Sequence, residues 1–156
     1  MTLEEAIHYR QTGQTDKAKA AFAALYDTYP NDPQINYHYA WLYDNLGEES
    51  NAVPHYEQAI ANGLAGEDLQ GALLGLGSTY RTLGEYQKAE STLRLGLNKF
   101  PDAKEFVVFL SMTLYNLKQH HEAMSALLRL IADDVEGIKP YQRAIRLYAD
   151  DLDKTW

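Results

Sequence analysis

The segment NLGEESNA, residues 45–52, sets the frame of a repeat that runs through most of the chain. Closely similar segments occur three more times, as QTGQTDKA at 11–18, TLGEYQKA at 82–89 and NLKQHHEA at 116–123. The third residue of each segment recurs at spacings of 34, 37 and 34 residues, as Gly13, Gly47, Gly84 and Lys118. A turn that returns at a fixed spacing predicts stacked copies of one structural unit.

Other positions keep the same phase around each turn. In the third unit, Tyr80 lies four residues before the frame glycine, Ala89 five residues after it, and Leu93 four residues further on. Apolar residues recur at helical spacing on both sides, which predicts two amphipathic helices, A and B, joined by a short turn. Glycine ends helix A because it accepts a positive φ, and alanine lets two helices approach closely.

The third unit contains, in order, a small residue, tyrosine, glycine, alanine, a bulky residue and a closing proline: Gly77, Tyr80, Gly84, Ala89, Leu93 and Pro101. With these positions the chain resembles a tetratricopeptide repeat (TPR) protein. The same pattern occurs in the second unit as Ala40, Tyr43, Gly47, Ala52, Tyr56 and Ala59, and in the first as Ala6, Tyr9, Gly13, Ala18, Phe22 and Pro30. The family's early tryptophan is absent from every unit, and the fourth unit lacks both the glycine and the proline.

This resemblance implies an all-α, right-handed superhelix, an α-solenoid of antiparallel helix pairs. We expect one domain over residues 1–156, with repeats at about 1–32, 33–66, 67–103 and 104–134. The three extra residues between the second and third turns fall in 62–71, as a longer connection or an extra turn on the third A helix. A solenoid needs its last apolar face covered, and we assign that role to a helix over about 140–153. Its predicted apolar stripe is Tyr141, Ala144, Ile145, Tyr148 and Leu152.

Three helix starts can be assigned from capping residues. Thr2 followed by Glu5, and Asp102 followed by Glu105, have the spacing of capping boxes. Asp32 precedes a proline, a residue favoured at the first helical position. These starts agree with the division into helix pairs.

Composition limits the range of partners. The formal net charge of −8 argues against nucleic acid, because binding to a phosphate backbone relies on clustered lysine and arginine. The chain has no cysteine and therefore no disulfide or thiolate metal site. No stretch approaches the ~20 apolar residues that span a bilayer, and the first ten residues carry acids where a signal peptide is basic. We expect a cytoplasmic protein that contacts neither nucleic acid nor membrane.

Signatures of catalysis are missing. The sequence has no glycine-rich phosphate loop, nucleophile elbow or metalloprotease motif, so we expect neither an enzyme nor a bound cofactor. His120 and His121 are adjacent, and adjacent side chains on a helix or turn diverge, whereas zinc needs three or four converging ligands. We therefore expect no metal site and interpret this pair as a solvated corner. The remaining histidines, His8, His38 and His55, are interpreted as packing or surface residues.

Function is then expected at the face of each A helix that the core leaves uncovered. With Gly47 as place 15 of its unit, core residues occupy places 4, 7, 8 and 11, and places 2, 5, 9, 12 and 13 point about 140° away. In proteins that this chain resembles, the second stripe lines a concave groove for a peptide or helix of another protein. From the second to the fourth unit, we predict that the groove contains Tyr37, Trp41, Asn45, Leu74, Ser78, Arg81, Val108, Met112, Tyr115 and Asn116.

The side chains on this stripe predict the character of the ligand. TPR domains that bind two carboxylates use lysine, asparagine and arginine at places 5 and 9, where this chain has Leu3, Ile7, Tyr37, Trp41, Leu74 and Ser78. An apolar or aromatic segment is therefore expected, with Arg10 and Arg81 available for a carbonyl or carboxylate. Exposed apolar clusters usually mark contacts. In the alternative interpretation, these residues pack against the terminal helix or the next repeat.

Self-association is the alternative hypothesis for the function. Leu3, Ala6 and Ile7 have no helix before them in the sequence, and the C-terminal helix is a second candidate surface. The chain would then be a homo-oligomeric structural protein, such as a homodimer, that associates through its N-terminal repeat or its C-terminal helix.

Overall fold

A computed structural model describes residues 1–155, which form helices joined by short connections and contain no strand. The chain divides into two compact units, unit 1 over Met1–Glu85 and unit 2 over Tyr86–Trp156. In chain order the helices are α1 (Leu3–Gln11), α2 (Thr15–Thr28), α3 (Pro33–Asn45), α4 (Glu49–Ala61), α5 (Gly66–Thr82), α6 (Tyr86–Lys99), α7 (Glu105–Asn116), α8 (His120–Asp134), a 3-10 helix (Glu136–Tyr141) and α9 (Gln142–Asp150). The prediction of an all-α fold of TPR-like helix pairs is confirmed.

The turns between paired helices share one backbone conformation. Gly47 has φ 70°, and the N–H of Glu48 donates to the carbonyl of Tyr43 at 2.9 Å. In the fourth turn, Lys118 has φ 65°, and the N–H of Gln119 donates to the carbonyl of Leu114 at 2.9 Å. The frame therefore continues into the fourth unit, even though a lysine occupies the place of the glycine.

Replacing Lys118 by glycine should stabilise the protein. A left-handed conformation costs a side chain that has a Cβ about 1–2 kcal/mol, whereas glycine adopts it freely but loses more entropy on folding. We expect a net gain of about 0.5–1 kcal/mol in the free energy of unfolding, measured by urea denaturation. Lys118→Ala is the matched control, because it removes the same charge and keeps the Cβ. Equal stability of the glycine and alanine variants would contradict this explanation.

Two of the three predicted helix starts are confirmed. Thr2 Oγ1 accepts from the Glu5 N–H at 3.2 Å, and the Glu5 carboxylate accepts from the Thr2 N–H at 2.8 Å. Asp32 accepts from the backbone N–H groups of Gln34 and Ile35. The prediction for Asp102 is wrong: α7 begins at Glu105 and its N-terminus has no side-chain cap. A cap at Asp102 requires the helix to begin at residue 103, and α7 begins two residues later, after the turn residues 101, 102 and 104.

The three extra residues of the third unit lengthen its A helix. The helix α5 has 17 residues, whereas its counterpart α3 has 13. The added residues lie at the start of α5, which begins at Gly66 directly after a short connection. Of the two predicted placements, the extra helical turn is the one observed.

The core of unit 1 combines alanines with large aromatic rings. Phe22 is fully buried and stacks on Tyr39, with ring centroids 5.7 Å apart. Asn36 is also fully buried and donates to the carbonyls of Pro30 and Asp32 at 2.8 and 2.9 Å. Its Oδ1 lies 2.9 Å from Nδ1 of His55, a ring packed among tyrosines. In the structure His55 is a packing residue, as its sequence context suggested.

Unit 2 closes with a helix that differs from the predicted one. The helix α9 spans Gln142–Asp150, because Pro140 lies in the preceding 3-10 helix. Ala149 is buried on α9, whereas Tyr148 is 47% and Leu152 37% exposed, so the predicted stripe is only partly the packed face. Two ion pairs connect α8 and α9: Arg129 with Asp150, and Arg146 with Asp133.

Candidate functional site

The ten predicted groove residues fall into two sets. Tyr37, Trp41 and Asn45 lie on α3, and Leu74, Ser78 and Arg81 on α5, all in unit 1. Unit 2 holds the other set on one side of α7, which we call the α7 face: Val108, Met112, Tyr115 and Asn116.

In unit 1, Trp41 and Tyr37 have different environments. Trp41 is 40% exposed, as the stripe predicts. Tyr37 is only 7% exposed, because its ring leans on α5 at Gly71. A Cβ at Gly71 would lie 2.2 Å from the Tyr37 hydroxyl, so the ring occupies space that any larger residue at position 71 would take from it. The expectation of an exposed Tyr37 ring is therefore wrong, and Trp41 is the aromatic side chain that α3 presents to solvent.

The Trp41 ring packs against the side chains of Arg10 and His38. We call these three residues the Arg10–Trp41 cluster. The Arg10 guanidinium carbon lies 4.0 Å from the centroid of the Trp41 ring, a cation–π geometry. The imidazole of His38 is nearly parallel to the same indole, with centroids 6.0 Å apart. Helix α1 supplies the arginine and α3 the two rings, so helix packing joins the first two repeats at this point.

The electrostatics of the cluster follow from burial. Burial lowers the pKa of His38 to about 4, and the positive charge of Arg10 acts in the same direction. The imidazole is therefore neutral at pH 7. Arginine can only donate, so the contact of 3.4 Å between Arg10 Nη2 and His38 Nδ1 requires that Nδ1 accepts and Nε2 carries the proton. Burial also lowers the pKa of Arg10, but a guanidinium remains charged at neutral pH.

The other predicted residues of unit 1 differ in exposure. Asn45 is exposed at the last position of α3, whereas Leu74, Ser78 and Arg81 are half-buried on α5. Beside Asn45, the Asp44 carboxylate accepts from the hydroxyls of Tyr56 at 2.6 Å and Thr79 at 2.7 Å. Burial raises the pKa of Asp44. This carboxylate ties α3 to α4 and α5 and has both oxygens engaged.

The α7 face is apolar and partly open. Tyr115 is 61% and Val108 38% exposed, whereas Met112 and Asn116 are half-buried. The centroid of the Tyr115 ring lies 5.0 Å from that of the His120 ring, at the start of α8. Exposed aromatic and aliphatic side chains on one helix face are typical of a contact surface.

Unit 2 also contains a concavity that was not predicted from the sequence. It has a volume of about 310 Å³ and lies between α6, α7 and α8, with the apolar side chains of Leu97, Val107 and Leu110 among its lining. Arg94 lies at this concavity and pairs with Glu90 and Glu122. The sequence gives no signal for it, because its lining comes from three different helices whose relative position the sequence does not show.

Sequence reasoning placed Arg10 on the stripe of the first unit but missed its contact with Trp41, and it interpreted His38 only as a packing or surface residue. The sequence signal for this contact was the position of the two residues in the repeat, since Arg10 and Trp41 occupy places 12 and 9 of adjacent units.

Among residues 1–155, no three histidine or acidic side chains converge as a metal site would require. Within the same residues, no helix is long and apolar enough to cross a bilayer. Self-association through either end stays a prediction.

Comparison with known proteins agrees with the repeat. A family model described as "Tetratrico peptide repeat" matches residues 33–152, and one described as "Tetratricopeptide repeat" matches residues 6–32. A solved structure titled "Crystal structure of MamA" has a TM-score of 0.76 at 16% sequence identity, over 97% of this chain and 94% of that one. At this identity the similarity shows the fold alone. No curated protein matches the sequence.

Proposed function

Because the chain belongs to the tetratricopeptide repeat family, we propose that it is a non-catalytic module that binds an apolar or aromatic segment of another protein. The repeats themselves indicate a protein–protein interaction scaffold, and proteins built from them are generally non-catalytic. The observation that carries the finer proposal is Trp41, a large aromatic side chain that stays 40% exposed although it is fixed by neighbouring groups.

Trp41 has the properties of an interface anchor. Tryptophan, tyrosine and arginine dominate the residues whose truncation weakens protein complexes most. The Trp41 ring is supported by Arg10 and His38, so a partner that covers it loses little side-chain entropy. On the α7 face, Tyr115 offers a second exposed aromatic ring. Both are large enough to bury apolar area on contact.

The remaining chemistry favours an apolar ligand over an acidic tail. Places 5 and 9 of the first three units carry aliphatic and aromatic side chains and one serine, and no lysine or arginine. Two closely spaced carboxylates would therefore find no pair of cations at these places. The net charge of −8 further disfavours a strongly acidic segment.

Removing an anchor should weaken partner recovery. We expect Trp41→Ala and Tyr115→Ala each to lower the affinity for a directly bound partner by about 2 kcal/mol, or about thirtyfold. The measurement is affinity purification from native lysate with quantitative mass spectrometry, followed by determination of Kd for the partner that is lost.

Two matched controls remove exposed apolar side chains elsewhere. Tyr29 is 58% exposed after α2, and Leu95 is 43% exposed on α6, and neither lies on the predicted stripe. Tyr29→Ala and Leu95→Ala should retain the partners, and circular dichroism should show that all four variants are folded. Equal recovery of every partner by wild-type protein and by both anchor variants would refute the proposed binding surface.

A further inference from the structure

Arg10 has more hydrogen-bonding capacity than the described residues use. A guanidinium carries five N–H donors, and Arg10 makes a single contact of 3.4 Å, to His38. Its Nε is buried and has no acceptor among residues 1–155. One face of the guanidinium is covered by the Trp41 ring, which holds the group in place. The arginine is thus positioned but incompletely satisfied.

Acidic residues are common in unit 1, yet none of them pairs with Arg10. Unit 1 holds twelve acidic and four basic residues. Lys19 pairs with Glu48 at 2.6 Å, and in unit 2 Arg94 pairs with Glu122 at 2.7 Å. Asp68, whose negative charge opposes the burial that lowers the pKa of His38, accepts from the side-chain amide of Gln34 at 2.8 Å. Within residues 1–155, no carboxylate forms an ion pair with Arg10.

We propose that Arg10 and Trp41 form a subsite for a single carboxylate of the bound segment, with an adjacent apolar or aromatic side chain packed on the exposed part of the indole. The inference rests on the proposed function and adds the chemistry of one recognition point. A carboxylate complements the planar fork of a guanidinium, and shielding by the indole strengthens the pair relative to a fully solvated one.

The surrounding charge limits the ligand to one acid at this point. The excess of acidic residues in unit 1 repels further negative groups, and the guanidinium of Arg10 offsets this repulsion for one carboxylate in contact with it. The segment that fits is therefore apolar with a single carboxylate, either its C-terminus or the side chain of one aspartate or glutamate. Both sources present the same two oxygens to the guanidinium.

Tryptophan fluorescence can test the subsite in the full chain. The sequence contains two tryptophans, so Trp156→Phe leaves Trp41 as the single reporter. The probes are four acetylated peptides. Glycyl-glycyl-phenylalanine with a free C-terminus is compared with its C-terminal amide, and aspartyl-phenylalanine amide is compared with asparaginyl-phenylalanine amide. The first pair tests a C-terminal carboxylate, and the second tests a side-chain carboxylate of otherwise similar size.

We expect saturable changes in Trp41 emission, with at least one carboxylate probe binding about tenfold more tightly than its neutral counterpart. Arg10→Gln should abolish that preference. Arg10→Lys, which keeps the charge, should retain part of it, because lysine lacks the planar fork. Arg143→Gln on α9 is a matched control from an exposed site and should behave as the parent does. Thermal melts identify any variant that has lost its fold.

Three outcomes would overturn the subsite: no binding of any probe, equal binding of carboxylate and amide, or a preference that survives in both folded Arg10 variants. If these occur while Trp41→Ala still loses partners, the subsite falls and the proposed function stands. If the carboxylate preference holds while Trp41→Ala and Tyr115→Ala both retain every partner, the proposed function falls, and the subsite then belongs to a small acidic ligand.

Discussion

Replacing Phe22 by alanine is expected to lower the free energy of unfolding by about 3–5 kcal/mol. Phe22 is fully buried and stacks on Tyr39 across the interface between α2 and α3. The same core cluster includes Ala6, Ala18 and Ala21, all of them buried and too small to fill the cavity that the ring would leave. The loss therefore combines the lost burial of the ring with an unfilled cavity.

This loss is large relative to the ~5–15 kcal/mol that holds an ordinary domain together. Urea denaturation followed by circular dichroism measures it, and hydrogen exchange should show faster exchange of the amides in α2 and α3. Tyr29→Ala is the matched control, since that ring is 58% exposed, and we expect a change of less than about 0.5 kcal/mol. A change below about 1 kcal/mol for Phe22→Ala would contradict the packing described for unit 1.

Gly96→Ala should destabilise unit 2, although alanine is the better helix former. Helix propensity alone would favour the substitution by about 1 kcal/mol. A Cβ at Gly96, however, would lie 2.2 Å from Cε1 of the fully buried Phe106 ring. Overpacking of this kind costs about 1–3 kcal/mol or more, and we expect a net loss of about 2 kcal/mol in the free energy of unfolding.

Two further variants separate the clash from propensity. Asn98→Ala changes an exposed position on the same helix and should leave stability unchanged or slightly improved. Combining Gly96→Ala with Phe106→Leu should cost less than the sum of the two single changes, because leucine vacates the space that the new methyl needs. A stabilising effect of Gly96→Ala by itself would show that the ring moves aside at little cost.

The repeat was predictable because it depends on local chemistry that the sequence displays. Gly13, Gly47 and Gly84 occupy left-handed turns, as their spacing implied. Lys118 shows that phase carries more information than residue identity, since it takes the same conformation with φ 65°. Such features depend on residues close together in the chain, and four copies in register reinforce one another.

The side-chain environment of the candidate site was less predictable, because it depends on pairs of helices. Helical periodicity placed Tyr37 and Trp41 on one stripe. Because Gly71 has no Cβ, however, the Tyr37 ring packs against α5 and is buried, whereas Trp41 is exposed. The contact between Arg10 and Trp41 likewise joins residues 31 positions apart. These residues occupy places 12 and 9 of adjacent repeats. Their contact could be predicted from those places only if the relative position of α1 and α3 were known.

The Asp44 carboxylate accepts hydrogen bonds from the hydroxyls of Tyr56 and Thr79, and these bonds bear on the kinetics of ligand binding. It fixes the end of α3 against α4 and α5, so the surface that contains Trp41 exists before any ligand arrives. An incoming segment would meet a preorganised template, and encounter rates should be similar among related ligands. Selectivity would then appear in residence time, as the speed with which each ligand leaves.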